Sequence, residues 1–203
     1  MTKRALLIFT RNPVIGKVKT RLAKTVGDQT ALDIYTFLLE RTVQVTTPIV
    51  ASKFVYYSEE IKKEDIWNAS GYTKKLQKGA HLGIRMLNAF KEAFEDDYQS
   101  MLIIGSDMYD ITPAHINDAF RQLEANDVVI GPAEDGGYYL LGLTSLIPEI
   151  FENKKWGTST VLKDTLAQLT TKKIHLLERL NDIDIYEDIE NHHAFKPFLK
   201  PTD

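Results

Sequence analysis

No cysteine occurs among the 203 residues, which excludes disulfides, iron–sulfur clusters, thiolate zinc sites and a cysteine nucleophile. The absence agrees with a reducing cytosol, and a cytoplasmic protein is the expectation. Also missing is any run near the ~18 consecutive apolar residues that a membrane span requires. The opening Met1-Thr2-Lys3-Arg4 and the apolar Ala5–Thr10 look like the start of a signal peptide, but Arg11 closes the run too early. The run reads instead as a buried first strand. An excess of positive charge is lacking too: 25 basic side chains face 28 acidic ones. Nucleic acid is therefore not the expected partner. The five histidines are scattered without H-E-x-x-H spacing and offer no metal centre. Repeats and Pro-, Gly- or Ser-rich linkers are absent, so one domain over residues 1–203 is expected.

What is present is an end-to-end alternation of short apolar runs with amphipathic segments. Ala5–Phe9, Phe54–Tyr57, Thr73–Gln77, Met101–Ile104, Asp127–Ile130, Tyr138–Leu143 and Ile174–Leu177 read as strands. Between them, Asp28 caps a helix carrying Ala31, Ile34, Tyr35, Leu38 and Leu39 at helical spacing. Leu82–Phe94, a helix opened by Thr112-Pro113, Thr158–Leu169 and a terminal Tyr186–His193 complete the helical set. Strands separated by helices imply right-handed crossovers and a three-layer α/β/α sandwich with a mostly parallel sheet. Ligands of such sheets bind beyond the carboxyl ends of the strands, at the topological switch point.

The loops at those ends carry the chemistry. Arg11, Lys17, Lys19 and Arg21 cluster with Gly16 directly after the first strand. Four cations and a glycine there suit a di- or triphosphate, although a solvated basic loop has the same composition. The spacing fits neither a Walker A loop nor G-x-G-x-x-G, which disfavours a P-loop NTPase or an NAD enzyme. Gly105-Ser106-Asp107 follows the most convincing central strand, and a carboxylate in that position needs a donor or a cation. Mg²⁺ or Mn²⁺ bridging substrate phosphates supplies one, whereas Asp110 reads better as a turn or cap residue. Glu134-Asp135-Gly136-Gly137-Tyr138 combines acids with glycines that admit close backbone approach, and it is also an ordinary hairpin turn. Asp182 and Asp184 alternate with isoleucines and face one side in extended geometry, as a second metal ligand or a solvated acidic turn. Gly79 and Arg85 flank a helix start able to receive part of a nucleotide, with a surface ion pair as the plain alternative for Arg85.

Four motifs in order, Pro13-x-x-Gly16-Lys17-x-Lys19-Thr20-Arg21-Leu22, Gly105-Ser106-Asp107, Gly131-Pro132-x-x-Asp135-Gly136-Gly137-Tyr138 and Asp182-Ile183-Asp184, resemble the DUF2064 family. That family is also called radical-SAM/selenodomain-associated transferase 1 or arsenosugar-biosynthesis glycosyltransferase, and the match runs from about Ala5 to Ile189. The resemblance implies a GT-A, nucleotide-diphospho-sugar transferase fold. It implies phosphate contacts at Lys17, Lys19 and Arg21, a metal carboxylate at Asp107 and a second metal contact at Asp182 or Asp184. Asp135 or Glu134 would serve as base or sugar contact. The expected activity is metal-dependent glycosyl transfer from a nucleotide sugar to a small-molecule acceptor. The alternatives are nucleotidyl transfer from a nucleoside triphosphate, like phospholactate or molybdenum-cofactor nucleotidyltransferases, and a catalytically inactive nucleotide-binding module. Two positions depart from the family pattern: Tyr109 stands where Pro is common, and His81 replaces the usual acid.

Overall fold

The computed structural model describes residues 2–68 and 71–199; Met1 of the opening segment lies outside them. Seven strands form one sheet: β1 (Arg4–Thr10), β2 (Ser52–Tyr57), β3 (Tyr72–Leu76), β4 (Ser100–Gly105), β5 (Val128–Pro132), β6 (Tyr138–Leu143) and β7 (Ile174–Leu176). Their order is β3-β2-β1-β4-β6-β5-β7. All neighbours are parallel except β6, which runs antiparallel to both β4 and β5. The chain therefore moves outward from β1 to β3 and then returns to the other side of β1 with β4. The switch point lies between β1 and β4.

Helices are α1 (Thr20–Val26), α2 (Asp28–Thr46), α3 (Leu82–Glu95), α4 (Pro113–Gln122) and α5 (Val161–Gln168). The apolar run of β1 is covered on both faces. Leu6 and Ile8 join Tyr35 and Leu39 of α2 and Ile116 and Phe120 of α4 on one side. Ala5 and Leu7 meet Met86 and Phe90 of α3 on the other, where Leu162 and Leu166 of α5 also pack. A smaller cluster of Leu22, Ile34, Leu38, Ile183, Ile189 and Phe195 ties α1 and α2 to the C-terminal segment. Thr112 caps α4 as its sequence implies, its Oγ1 accepting the His115 backbone N–H while His115 Nδ1 accepts the Thr112 N–H.

Three local expectations change. Gly27, not Asp28, is the N-cap of α2, and Asp28 is the first helical residue. Thr20 and Arg21 leave the first loop to open α1, a helix too short for its periodicity to stand out. The expected helix at Tyr186–His193 is a single 3₁₀ turn, Tyr186–Asp188, followed by another at His193–Phe198. The Asp188 carboxylate accepts the backbone N–H groups of Asp184 and Ile185, drawing the chain into a capped turn in place of a longer helix. Among the described residues no helix is long and apolar enough to cross a membrane.

Candidate active site

Thr10 and Ser106 leave the sheet side by side, because Phe9 of β1 stands opposite Gly105 of β4. Tyr35 of α2 reaches up beneath them. Its hydroxyl accepts the Arg11 backbone N–H at 2.8 Å and shares hydrogen bonds with Thr10 Oγ1 (3.3 Å) and Ser106 Oγ (3.2 Å). Burial pushes the Tyr35 phenol up, so it stays neutral and keeps a proton to donate. Asn12 fixes the next step: its Oδ1 accepts from the Glu59 and Glu60 N–H groups, and its Nδ2 donates to the Glu60 carbonyl. The first loop is thus anchored to both neighbouring strands.

Beyond Asn12 the chain turns through Gly16 (φ 73°) and Lys19 (φ 46°) into α1. A left-handed conformation costs a residue with a side chain about 1 kcal/mol. In that conformation the Lys19 ammonium, only 6% exposed, donates to Asp107 Oδ2 at 2.9 Å. Burial works against the Lys19 charge, but Asp107, with Asp184 and Asp182 behind it, holds the pKa above the ordinary lysine value. Burial also pushes Asp107 up, and Lys19 with Arg11 overcomes that and holds it below the usual carboxylate range. Both are ionised at neutral pH. Gly105 makes room for this pair, since a Cβ there would lie 2.7 Å from Asp107 Oδ1.

The third approach comes from the C-terminal side. The Leu180 N–H donates to the Pro132 carbonyl, Glu134 N–H to Leu180, and Ile183 N–H to Asp107. Asp182, held between these bonds, lines the same cleft as Asp107 and Asp135. Burial, then the charges of Asp107 and Asp135, push its carboxyl up to about 6. Asp184 turns elsewhere, its Oδ2 accepting from Arg21 Nη1 at 2.6 Å. The two acids that alternate in sequence are thus divided between the cleft and the basic loop.

The cleft measures about 240 Å³. Gly137 and Tyr138 line it with the three aspartates; Glu134 and Gly136 flank the turn without lining it. Asp135 Oδ1 accepts the Gly137 N–H at 2.7 Å. Gly136 is required by its φ of 88° and by crowding, as a Cβ would sit 2.3 Å from the Ser159 carbonyl oxygen. The Leu162 N–H donates to the Gly136 carbonyl at 2.9 Å, pinning the turn to the start of α5.

Arg11 is exposed, and Lys17 pairs with Glu59 at 3.3 Å on the surface. Arg85 Nε donates to the Gly79 carbonyl at 3.1 Å, closing the loop between β3 and α3. None of these residues lines the cleft, and neither does Arg21. Several residues of the site escape sequence reasoning. Tyr35 sits in a helix whose periodicity marks it as core. Leu82 and Met86 of α3 also line the cleft, as do Trp156, Gly157 and Thr158, with Thr158 preceding α5 where a helix was expected. The small, hydroxyl-rich Gly157-Thr158-Ser159-Thr160 beside one of only two tryptophans was the available signal.

Among the described residues no three His, Asp or Glu side chains converge as a preformed metal cage. The donor set nevertheless fits Mg²⁺ or Mn²⁺, which need only one or two protein carboxylates and complete their shell with phosphate and water. Asp182, raised by burial and then by two like charges that Lys19 offsets only in part, marks a position where a cation would be stabilised.

A family model described as "Uncharacterized protein conserved in bacteria (DUF2064)" matches residues 42–158. No curated protein matches the chain. Among solved structures, a candidate nucleotide-diphospho-sugar transferase from Desulfovibrio desulfuricans G20 superposes with a TM-score of 0.86 at 29% identity, covering 97% of this chain and 91% of that one. The 4-diphosphocytidyl-2C-methyl-D-erythritol synthase of Anaerococcus prevotii DSM 20548 shares the fold at a TM-score of 0.61, with 11% identity and 96% of each chain covered. The Rv0371c protein of Mycobacterium tuberculosis H37Rv, in complex with manganese, does so at 0.55, with 11% identity over 93% of this chain and 97% of that one.

Proposed function

The chain belongs to the DUF2064 family, and on that footing we propose that it is a nucleotide-using transferase whose donor is a nucleotide sugar. The observation that carries this reading is the Lys19–Asp107 pair at the β1/β4 switch point, with Asp182 and Asp135 in the adjoining cleft. The name of the 29% identical neighbour supports the same donor class.

In this reading Arg11, Lys17, Lys19 and Arg21 act on the donor's diphosphate, with the turn at Gly16 bringing backbone close. Lys19, held on Asp107 with its side chain 6% exposed, acts on the phosphates through its field and not by direct contact. Asp107 and Asp182 would hold Mg²⁺ or Mn²⁺, with Asp184 the alternative second ligand if it left Arg21. Such an ion supplies Lewis-acid stabilisation of the leaving nucleoside diphosphate. Gly79 and Arg85 face the nucleoside end. Asp135 accepts the Gly137 N–H with one oxygen, and its other oxygen would take the proton of the attacking hydroxyl. The acceptor oxygen then bonds to the sugar carbon as the carbon–oxygen bond to the diphosphate breaks. Glu134, Gly136, Gly137 and Tyr138 shape the sugar and acceptor side.

A second reading, nucleotidyl transfer with release of pyrophosphate, is favoured by fold neighbours such as the Anaerococcus synthase and the inositol-1-phosphate CTP transferase of T. maritima. Product analysis separates the two. Incubation with Mn²⁺, a panel of nucleotide sugars and a panel of small alcohols should release a nucleoside diphosphate. Release of pyrophosphate from a nucleoside triphosphate would establish the second reading instead.

A further inference from the structure

Asp135 and Asp182 line the cleft beside Asp107, and the ligand that enters it must tolerate all three acids. We infer that this cleft admits an uncharged, hydroxyl-rich group and rejects a phosphorylated one, so that the acceptor is a neutral alcohol. The inference deepens the nucleotide-sugar reading of the same site and rests on it.

Charge gives the first argument. Among the described residues, the side chains lining the cleft include Asp107, Asp135 and Asp182 but no lysine, arginine or histidine. Lys19 donates to Asp107 at 2.9 Å, and Arg11, exposed and outside the lining, also acts on the Asp107 carboxylate. A divalent ion together with Lys19 would bring three positive charges against three carboxylates, with Arg11 left to the donor's diphosphate. That balance leaves nothing for a phosphate monoester carrying about −1.5 to −2. Carboxylates are acceptor-only groups, so a ligand built of hydroxyl donors satisfies them where an anion cannot.

The walls give the second argument. Tyr138 and Trp156 stand edge to face, with ring centres 6.4 Å apart and planes at 87°. Leu82, 44% exposed, and Met86 extend this apolar surface. Aromatic and aliphatic side chains that share the lining with carboxylates match the C–H face and hydroxyl rim of a sugar ring or polyol. Nucleotidyl transfer to a phosphorylated acceptor would instead place that phosphate among the aspartates.

Trp156 supplies the probe, because the other tryptophan, Trp67, is buried at 2% exposure away from the cleft. The full-length chain is titrated with methyl β-D-glucopyranoside and glucose 1-phosphate, and with glycerol and glycerol 3-phosphate, with and without Mn²⁺. The fluorescence change is measured against Trp156→Phe. Each neutral ligand should bind at least tenfold more tightly than its phosphorylated partner. Asp135→Asn, which retains an oxygen for the Gly137 N–H, should narrow that gap to a few-fold. Equal or tighter binding of the phosphorylated partner would overturn the inference, and so would no Trp156-dependent change with any ligand. Nucleotide binding is followed separately by thermal shift, so its absence removes the donor reading without obscuring this titration.

Discussion

Lys19 and Asp107 share one charge-assisted hydrogen bond, the lysine side chain nearly buried and the aspartate partly exposed. Removing the cation strands a partly buried carboxylate, so Lys19→Met should cost about 1–2 kcal/mol in urea unfolding at pH 7. The sign of the pH dependence follows from both partners. Asp107 lies below its ordinary value, so its share of stability is present above about pH 4 and fades as acid passes its lowered pKa. Lys19 lies above its ordinary value, so its share is full below about pH 10 and is lost beyond it. Asp182 has the opposite effect to Asp107. Its carboxyl, raised to about 6, binds a proton more readily in the folded state, so it lowers stability as pH climbs from about 4 through 6. Asp182→Asn in EDTA should therefore gain about 1–2 kcal/mol at pH 7.5 and nothing at pH 4. Equal effects at both pH values would dismiss the crowding of Asp182 by its neighbours. At this scale the sequence made Asp107 legible, since a carboxylate past an apolar strand has few fates. It could not separate Lys19 from Lys17: two residues apart in one loop, they diverge only because a left-handed turn aims Lys19 inward while Lys17 reaches Glu59.

Elements position these groups through few, specific connections. The β5–β6 turn is fastened to α5 by the Gly136 carbonyl and pressed against Ser159, where only glycine fits. Gly136→Ala should destabilise the fold by about 1–3 kcal/mol and widen the cleft, readable as faster amide exchange at Gly137 and Leu162. The Tyr35 hydroxyl joins α2 to the ends of β1 and β4, and Tyr35→Phe should cost about 1–3 kcal/mol by orphaning the Arg11 N–H. Strongly patterned elements were readable in advance: β1, β4, α3 and α4 fall where apolar runs, helical spacing and the Thr112-Pro113 start signal put them. The turns near Tyr186 were not, because Asp188 captures two upstream amides, a competition that periodicity does not register.

At the scale of the whole molecule, the chain's order of travel creates the site. Running β1 to β3 in one direction and returning through β4 opens a crevice beyond Thr10 and Gly105. The antiparallel β6 then brings the Asp135 turn back over it. The near-neutral overall charge conceals this arrangement: the basic loop at Arg11–Arg21 borders a cleft of acids, a polarity suited to a small diphosphate with a metal. In the proposed function Asp107 supports metal-dependent binding of a nucleotide. Thermal unfolding with UDP-, GDP-, CDP- and ADP-sugars, each with and without Mn²⁺, tests it most directly. At least one should raise the midpoint by several degrees only when Mn²⁺ is present, and Asp107→Asn should abolish that rise while still unfolding cooperatively. No stabilisation by any of them, or an equal rise in Asp107→Asn, would contradict the account.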